Sequence, residues 1–75
     1  MRRELPVIKP KQVVAVLEKA GFEVRRQTGS HVIMSKAGIR HPVSIPQHPV
    51  DLPKGTLRAI IRQAGLTIDE FLGLL

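Results

Sequence analysis

Apolar residues recur at spacings of three and four from Val13 through Val14 and Leu17 to Ala20, and the pattern stops at Gly21. That spacing predicts one buried face of an amphipathic helix, opened by Pro10 at its first position and ended by the glycine. Its β-branched valines lower helix propensity, so its stability is expected to come from packing. From Phe22 the period changes to two. Phe22-Glu23-Val24-Arg25-Arg26-Gln27 begins with the alternation of a half-buried strand, Thr28-Gly29 signals a turn, and Ser30 to Lys36 returns as a second strand. Ala37-Gly38 makes the next turn, and Val43-Ser44-Ile45 supplies a third short strand ended by Pro46. Short links between successive strands predict an antiparallel meander.

Residues 46–54, PQHPVDLPK, hold three prolines and predict an irregular connection. Leu57, Ile60, Ile61 and Ala64 then form a second helical stripe, stopped by Gly65. Thr67 with Glu70 three residues later is a capping box, opening a last short helix with Ile68, Phe71, Leu72 and Leu75 on one face. The order predicts an α+β fold: helix, three-stranded antiparallel sheet, helix, short C-terminal helix, with the helices on one sheet face. In the second strand Val32 and Met34 share one face, and His31, Ile33 and Ser35 the other. All three central residues are apolar, so alternation alone does not settle which face is buried. With Val32 and Met34 inward, His31 stands on the open face.

Seventy-five residues predict a single domain over 1–75, burying about 60% of the surface its unfolded chain exposes. Cysteine is absent, so the core must come from the 43% of residues that are apolar. The longest apolar run, Val13 to Leu17, falls far short of the roughly 20 residues of a membrane span. No apolar signal core follows the charged N-terminus, and a cytoplasmic location is expected. Twelve Lys and Arg against six Asp and Glu give a net charge of +6. The excess is concentrated: Arg25, Arg26, Lys36, Arg40, Lys54, Arg58 and Arg62 face only Asp51 between positions 25 and 62. A polyanion is the natural partner, although a basic surface is also common in small soluble domains. With only Phe22 and Phe71 as aromatics, base-stacking platforms are not expected.

The three histidines, His31, His41 and His48, lack the spacing and the cysteine partners of a zinc site, and no cofactor is implied. Phosphate loops, nucleophile elbows and paired carboxylates are likewise missing from the sequence. A histidine in a basic protein can still act on RNA, which supplies its own nucleophile in the 2′-hydroxyl. Such a reaction needs a proton acceptor, with cations or backbone N–H groups around the phosphate. His31 follows Gly29-Ser30, where glycine permits close backbone approach and serine adds a hydroxyl donor. By itself a lone strand histidine is more often a packed or surface residue. Lys54-Gly55-Thr56-Leu57-Arg58 opens the second main helix, and Lys54 and Arg58 would add charge to the anion site at its N-terminus. A solvated helix face explains the same residues equally well.

GSHVIM, VSIPQH and LPKGTLRAIIRQAGLTIDEFLGLL together resemble the HicA-type mRNA interferase toxins, also described as YcfA-like proteins, of prokaryotic toxin–antitoxin modules. The likeness runs from IKPKQVVAVLEKAGFEV to the C-terminus. Its most specific pieces are Gly29-Ser30-His31 and Gly55-Thr56-Leu57-Arg58 with the following IIRQAGL. The resemblance implies a fold like the double-stranded RNA-binding domain. It also implies metal-independent endoribonuclease activity on mRNA, with His31 catalytic and a HicB-type antitoxin covering the active site, within a larger toxin–antitoxin assembly. His48 matches a histidine often seen in the family, with no firm role. On these grounds Gly29, Ser30, Lys36, Arg40, Lys54 and Arg58 are expected to contact RNA around His31. The alternatives are an RNA-binding module of the same fold without turnover, and a small adaptor whose basic surface pairs with an acidic protein.

Overall fold

Pro10 has no backbone N–H to lose at the first turn of a helix, and α1 begins there, running Pro10–Lys19. The backbone N–H of Lys9, just before it, donates to Gln12 Oε1 at 2.9 Å. A computed structural model describes residues 5–47 and 51–75. After α1 come β1 (Glu23–Gln27), β2 (His31–Ser35), β3 (Val43–Pro46), α2 (Lys54–Gln63) and α3 (Ile68–Gly73). Gly21 and Gly65 take positive φ just beyond α1 and α2, the left-handed conformation that ends a helix at little cost for glycine. The capping box of α3 forms as expected: Glu70 N–H donates to Thr67 Oγ1 at 3.0 Å, and Thr67 N–H donates to Glu70 Oε1 at 2.8 Å.

The strands form one antiparallel sheet in the order β1-β2-β3, with β2 in the centre. Val32 and Met34 of β2 and Val43 and Ile45 of β3 are buried beneath the helices. This resolves the ambiguity of the apolar run in β2 and leaves His31, Ile33 and Ser35 on the open face. The helix, sheet, helix, short-helix order is the α+β arrangement expected from the sequence, with the helices on one sheet face.

Three details differ from the sequence pattern. The β1 strand is exposed along its whole length, and Val24 keeps 45% of its surface accessible. Both main helices pack chiefly over β3. The strand at the opposite edge therefore projects beyond the helix layer, and only Phe22, just ahead of it, is buried. In α1 Val16 joins Val13 and Leu17 in the core, whereas Val14 and Ala20 are partly covered. Leu5, Ile8 and Leu52 also join the core from outside any helix or strand. Leu52 N–H donates to the Ile8 carbonyl at 3.0 Å, so the two segments leading into α1 and α2 are tied together.

At the far ends of the helices, Lys36 lies against Gly21, and Ile39 lies against Gly65. The helices therefore run in the same direction, with their N-termini toward one end of the sheet and their C-termini toward the β2–β3 loop. Lys19 Nζ donates to the Leu74 carbonyl at 3.1 Å and fastens the end of α3 to the end of α1.

Candidate active site

Thr28, Gly29 and Ser30 link β1 to β2, and His31 is the first residue of the returning strand. Thr28 N–H donates to the His31 carbonyl at 2.9 Å, and Thr28 Oγ1 approaches the same oxygen at 3.3 Å. On the other flank Gln47 N–H donates to the Ser30 carbonyl at 2.7 Å, and His31 pairs with Pro46. The backbone around the histidine is thus held from both neighbouring strands. Its ring is half-buried, with Nδ1 3.0 Å from Ser30 Oγ. A serine hydroxyl can donate to an unprotonated ring nitrogen or accept from a protonated one. When Nδ1 carries the hydrogen and donates it to Ser30 Oγ, Nε2 is left with a lone pair available to a substrate. Ser30 therefore has a geometric role beyond the phosphate contact expected for it.

The helix N-termini lie toward this end of the fold. Pro53 caps α2 without any side-chain hydrogen bond, and no acidic residue occupies its first turn. The N–H groups of Lys54, Gly55 and Thr56 precede the first intrahelical donor, so they can meet an anion, with Lys54 and Arg58 exposed beside them. Lys36 and Arg40 stand elsewhere. The register pairs His31 with Pro46 and Met34 with Val43, which places the loop holding both residues at the opposite end of β2. Lys36 Nζ lies over the Phe22 ring, 5.8 Å from its centroid. Gly29 and Ser30 are thus brought to His31, and Lys54 at the start of α2 belongs to the same end of the molecule. Arg58 lies one turn further along and lines a groove with Ile61, Arg62 and Gly65, whereas Lys36 and Arg40 stand at the opposite end. His48 lies outside the described residues.

Arg26 was missing from the sequence-derived set. It pairs with Ile33 across the hairpin, so it shares the open face with His31 and is its diagonal neighbour, about 7–8 Å away between backbones. A short link at Thr28-Gly29-Ser30 sets this register, which is the signal that could have identified it. No group of three or more His, Cys, Asp or Glu among the described residues is placed to hold a metal ion. None of their helices is long and apolar enough to cross a membrane.

A family model described as the HicA toxin of bacterial toxin–antitoxin systems matches residues 10–66, from the first residue of α1 to just beyond α2. The chain belongs to the HicA toxin family. The span shared with other HicA toxins includes the entire sheet and His31. A solved structure of a toxin–antitoxin complex from Streptococcus pneumoniae contains a chain similar to this one, with 37% identity and a TM-score of 0.63. The match covers 81% of this chain and all of that one. Among curated proteins no relative matches.

Gly29 offers a test of the HicA site that is independent of folding. Its φ is not in the left-handed region, and a Cβ built there would meet no atom within 4 Å. The free fold therefore does not require glycine at this position, whereas a phosphate lying against the turn would. Gly29→Ala is expected to leave the melting midpoint unchanged or slightly raised, since alanine lowers unfolded-chain entropy by about 0.4–1 kcal/mol. With RNA cleaved at this turn, cleavage by the variant should nevertheless fall tenfold or more in a gel assay. Full activity would place the phosphate elsewhere.

Proposed function

We propose that this HicA-family chain is a metal-independent endoribonuclease that cleaves mRNA, with His31 as the proton-transferring group. The observation that carries the proposal is the hydrogen-bonded pairing of His31 Nδ1 with Ser30 on an uncovered sheet face. His31 Nε2 takes the proton of the ribose 2′-hydroxyl as that oxygen bonds to the adjacent phosphorus. The bond from phosphorus to the 5′-oxygen breaks, and the departing oxygen receives its proton from the imidazolium or from water. The products are a 2′,3′-cyclic phosphate and a 5′-hydroxyl. Gly29 gives room for the phosphate, Arg26 supplies charge beside it, and Lys54 and Arg58 extend the positive field at the helix N-terminus.

The same residues explain a protein partner. A HicB-type antitoxin that covers the open face would block His31 and neutralise the arginines, with association accelerated by opposite charge. The solved toxin–antitoxin complex containing a similar chain supports such a partner. A single domain in the cytoplasm fits this role.

His31 is the only imidazole on the open face among the described residues, since His41 lies in the distal loop. That isolation favours, as a second reading, an RNA-binding module without turnover. Matched RNA and 2′-O-methyl RNA separate the two when incubated with the protein in EDTA. Cleavage of the first and none of the second is expected. Equal cleavage of both, or none without added metal, would exclude the proposed reaction, and tight binding of both without cleavage would establish the second reading.

A further inference from the structure

The register does more than bring Arg26 near His31. Between Val24 and Arg26 the pairing of β1 with β2 shifts by one residue, so Arg25 is extra in its strand and has no partner across the ladder. Its side chain reaches back to β2, where Nε donates to Ser35 Oγ at 2.6 Å. Ser35 is the last open-face residue of the strand that His31 begins. A cleft of about 520 Å³ lies at this end of the sheet, lined by Glu23, Arg25, Ser35 and Lys36 together with Gly21, Ala37 and Ile39 of the adjoining turns.

We propose that the open sheet face is a binding track for single-stranded RNA, running from His31 past Arg26 and Ile33 to a phosphate subsite formed by Arg25 and Lys36. The proposal rests on the ribonuclease function proposed above for the identity of the nucleic acid, and adds a second contact region. A bond through Nε orients the Arg25 guanidinium while leaving both terminal nitrogens to fork onto a phosphate. Lys36, packed along Gly21 and over Phe22, reaches the same cleft from the helix side of the sheet and brings a second positive charge to its end. Glu23 is the acid on its rim, outnumbered by these two cations. No ion pair among the described residues engages Arg25, Arg26 or Lys36, so their charge is available to a ligand.

The dimensions suit a single strand. Four residue steps from His31 to Ser35 span roughly 13 Å, the reach of a few nucleotides. Between the ends, Ile33 gives an apolar surface flanked by Arg26 on one side and Ser44 on the other. The track has no aromatic residue on which bases could stack, so phosphate neutralisation must supply most of its affinity and make it salt-dependent. A single strand also lets the 2′-oxygen swing into line with the departing 5′-oxygen, which a regular duplex prevents.

Fluorescence anisotropy with 2′-O-methyl oligonucleotides measures binding without cleavage. The wild type, Arg25→Ala and the double variant Arg25→Ala/Arg26→Ala would be titrated with a 4-mer and a 12-mer. Circular dichroism would confirm the fold, which these exposed side chains do not support. The double variant should bind the 12-mer at least tenfold more weakly. Its log affinity against log salt should become shallower by about 1.4, as expected for two phosphates of a single strand. Arg25→Ala should weaken the 12-mer and spare the 4-mer. Unchanged affinity and slope in the double variant, alongside a wild type that cleaves RNA, would overturn the track alone. A wild type that neither binds nor cleaves would overturn the ribonuclease function with it. Variants that lose affinity for polyglutamate but keep it for RNA would identify the face as a protein-docking surface and exclude the track.

Discussion

His31→Ala is expected to lower RNA cleavage by about 10² to 10⁴, the usual worth of a positioned acid–base group. The ring is half-buried on the face that the helices do not cover, and its one side-chain hydrogen bond goes to exposed Ser30. Removing it leaves no buried polar group without a partner, so the folded state should be retained. The measurement is single-turnover cleavage of a labelled RNA, with circular dichroism and thermal melting on the same preparations. Growth after induced expression gives a second readout: arrest with the wild type and normal growth with the variant. Cleavage by the folded variant at the wild-type rate would remove His31 from the mechanism.

Phe71→Ala should lower activity by a different physical route. Phe71 is fully buried at 0% exposure and is the main anchor by which α3 joins the core. A Phe-to-Ala change in such a position costs about 3–5 kcal/mol through lost transfer energy and the cavity left behind. A domain of this length has roughly 4–11 kcal/mol of total stability. The substitution therefore consumes a large part of it. Urea denaturation should show a lower midpoint with an unchanged slope, and residual cleavage should track the folded fraction. A midpoint equal to wild type would mean that α3 is not integral to the fold. Together the two variants separate loss of chemistry from loss of structure.

Much of the architecture was legible because local signals agreed with tertiary packing. Pro10, Gly21 and Gly65 bounded the helices, and Thr67 with Glu70 opened the last one. The half-buried character expected of β1 was absent for a reason that alternation cannot encode. A strand with the right period still depends on whether a helix lies above it, and the helices here lie mainly over β3. Leu5, Ile8 and Leu52 were not marked as core because isolated apolar residues outside regular elements carry no period. At the candidate site, the GSH motif singled out His31 as the residue to test, whereas the linear cluster of charges joined groups that the sheet separates. Lys36 and Arg40 follow His31 closely in sequence but stand a full strand away. Arg26 precedes it across a turn and stands beside it. Hairpin register, more than proximity in sequence, decides which cations share the histidine's surroundings.

The one-sided core also bears on how such a protein can evolve. Helices cover one surface of the sheet, and the other contributes no residue to the buried set except through the backbone. Substitutions at Arg25, Arg26, Ile33 or Ser44 can therefore drift with little penalty in foldability. With the open face as the proposed RNA track, a lineage would be able to revise which nucleotides it favours, or which inhibitor it obeys, while inheriting an unaltered scaffold. Coadaptation with a cognate inhibitor would then proceed on a surface largely insulated from the residues that keep the chain folded.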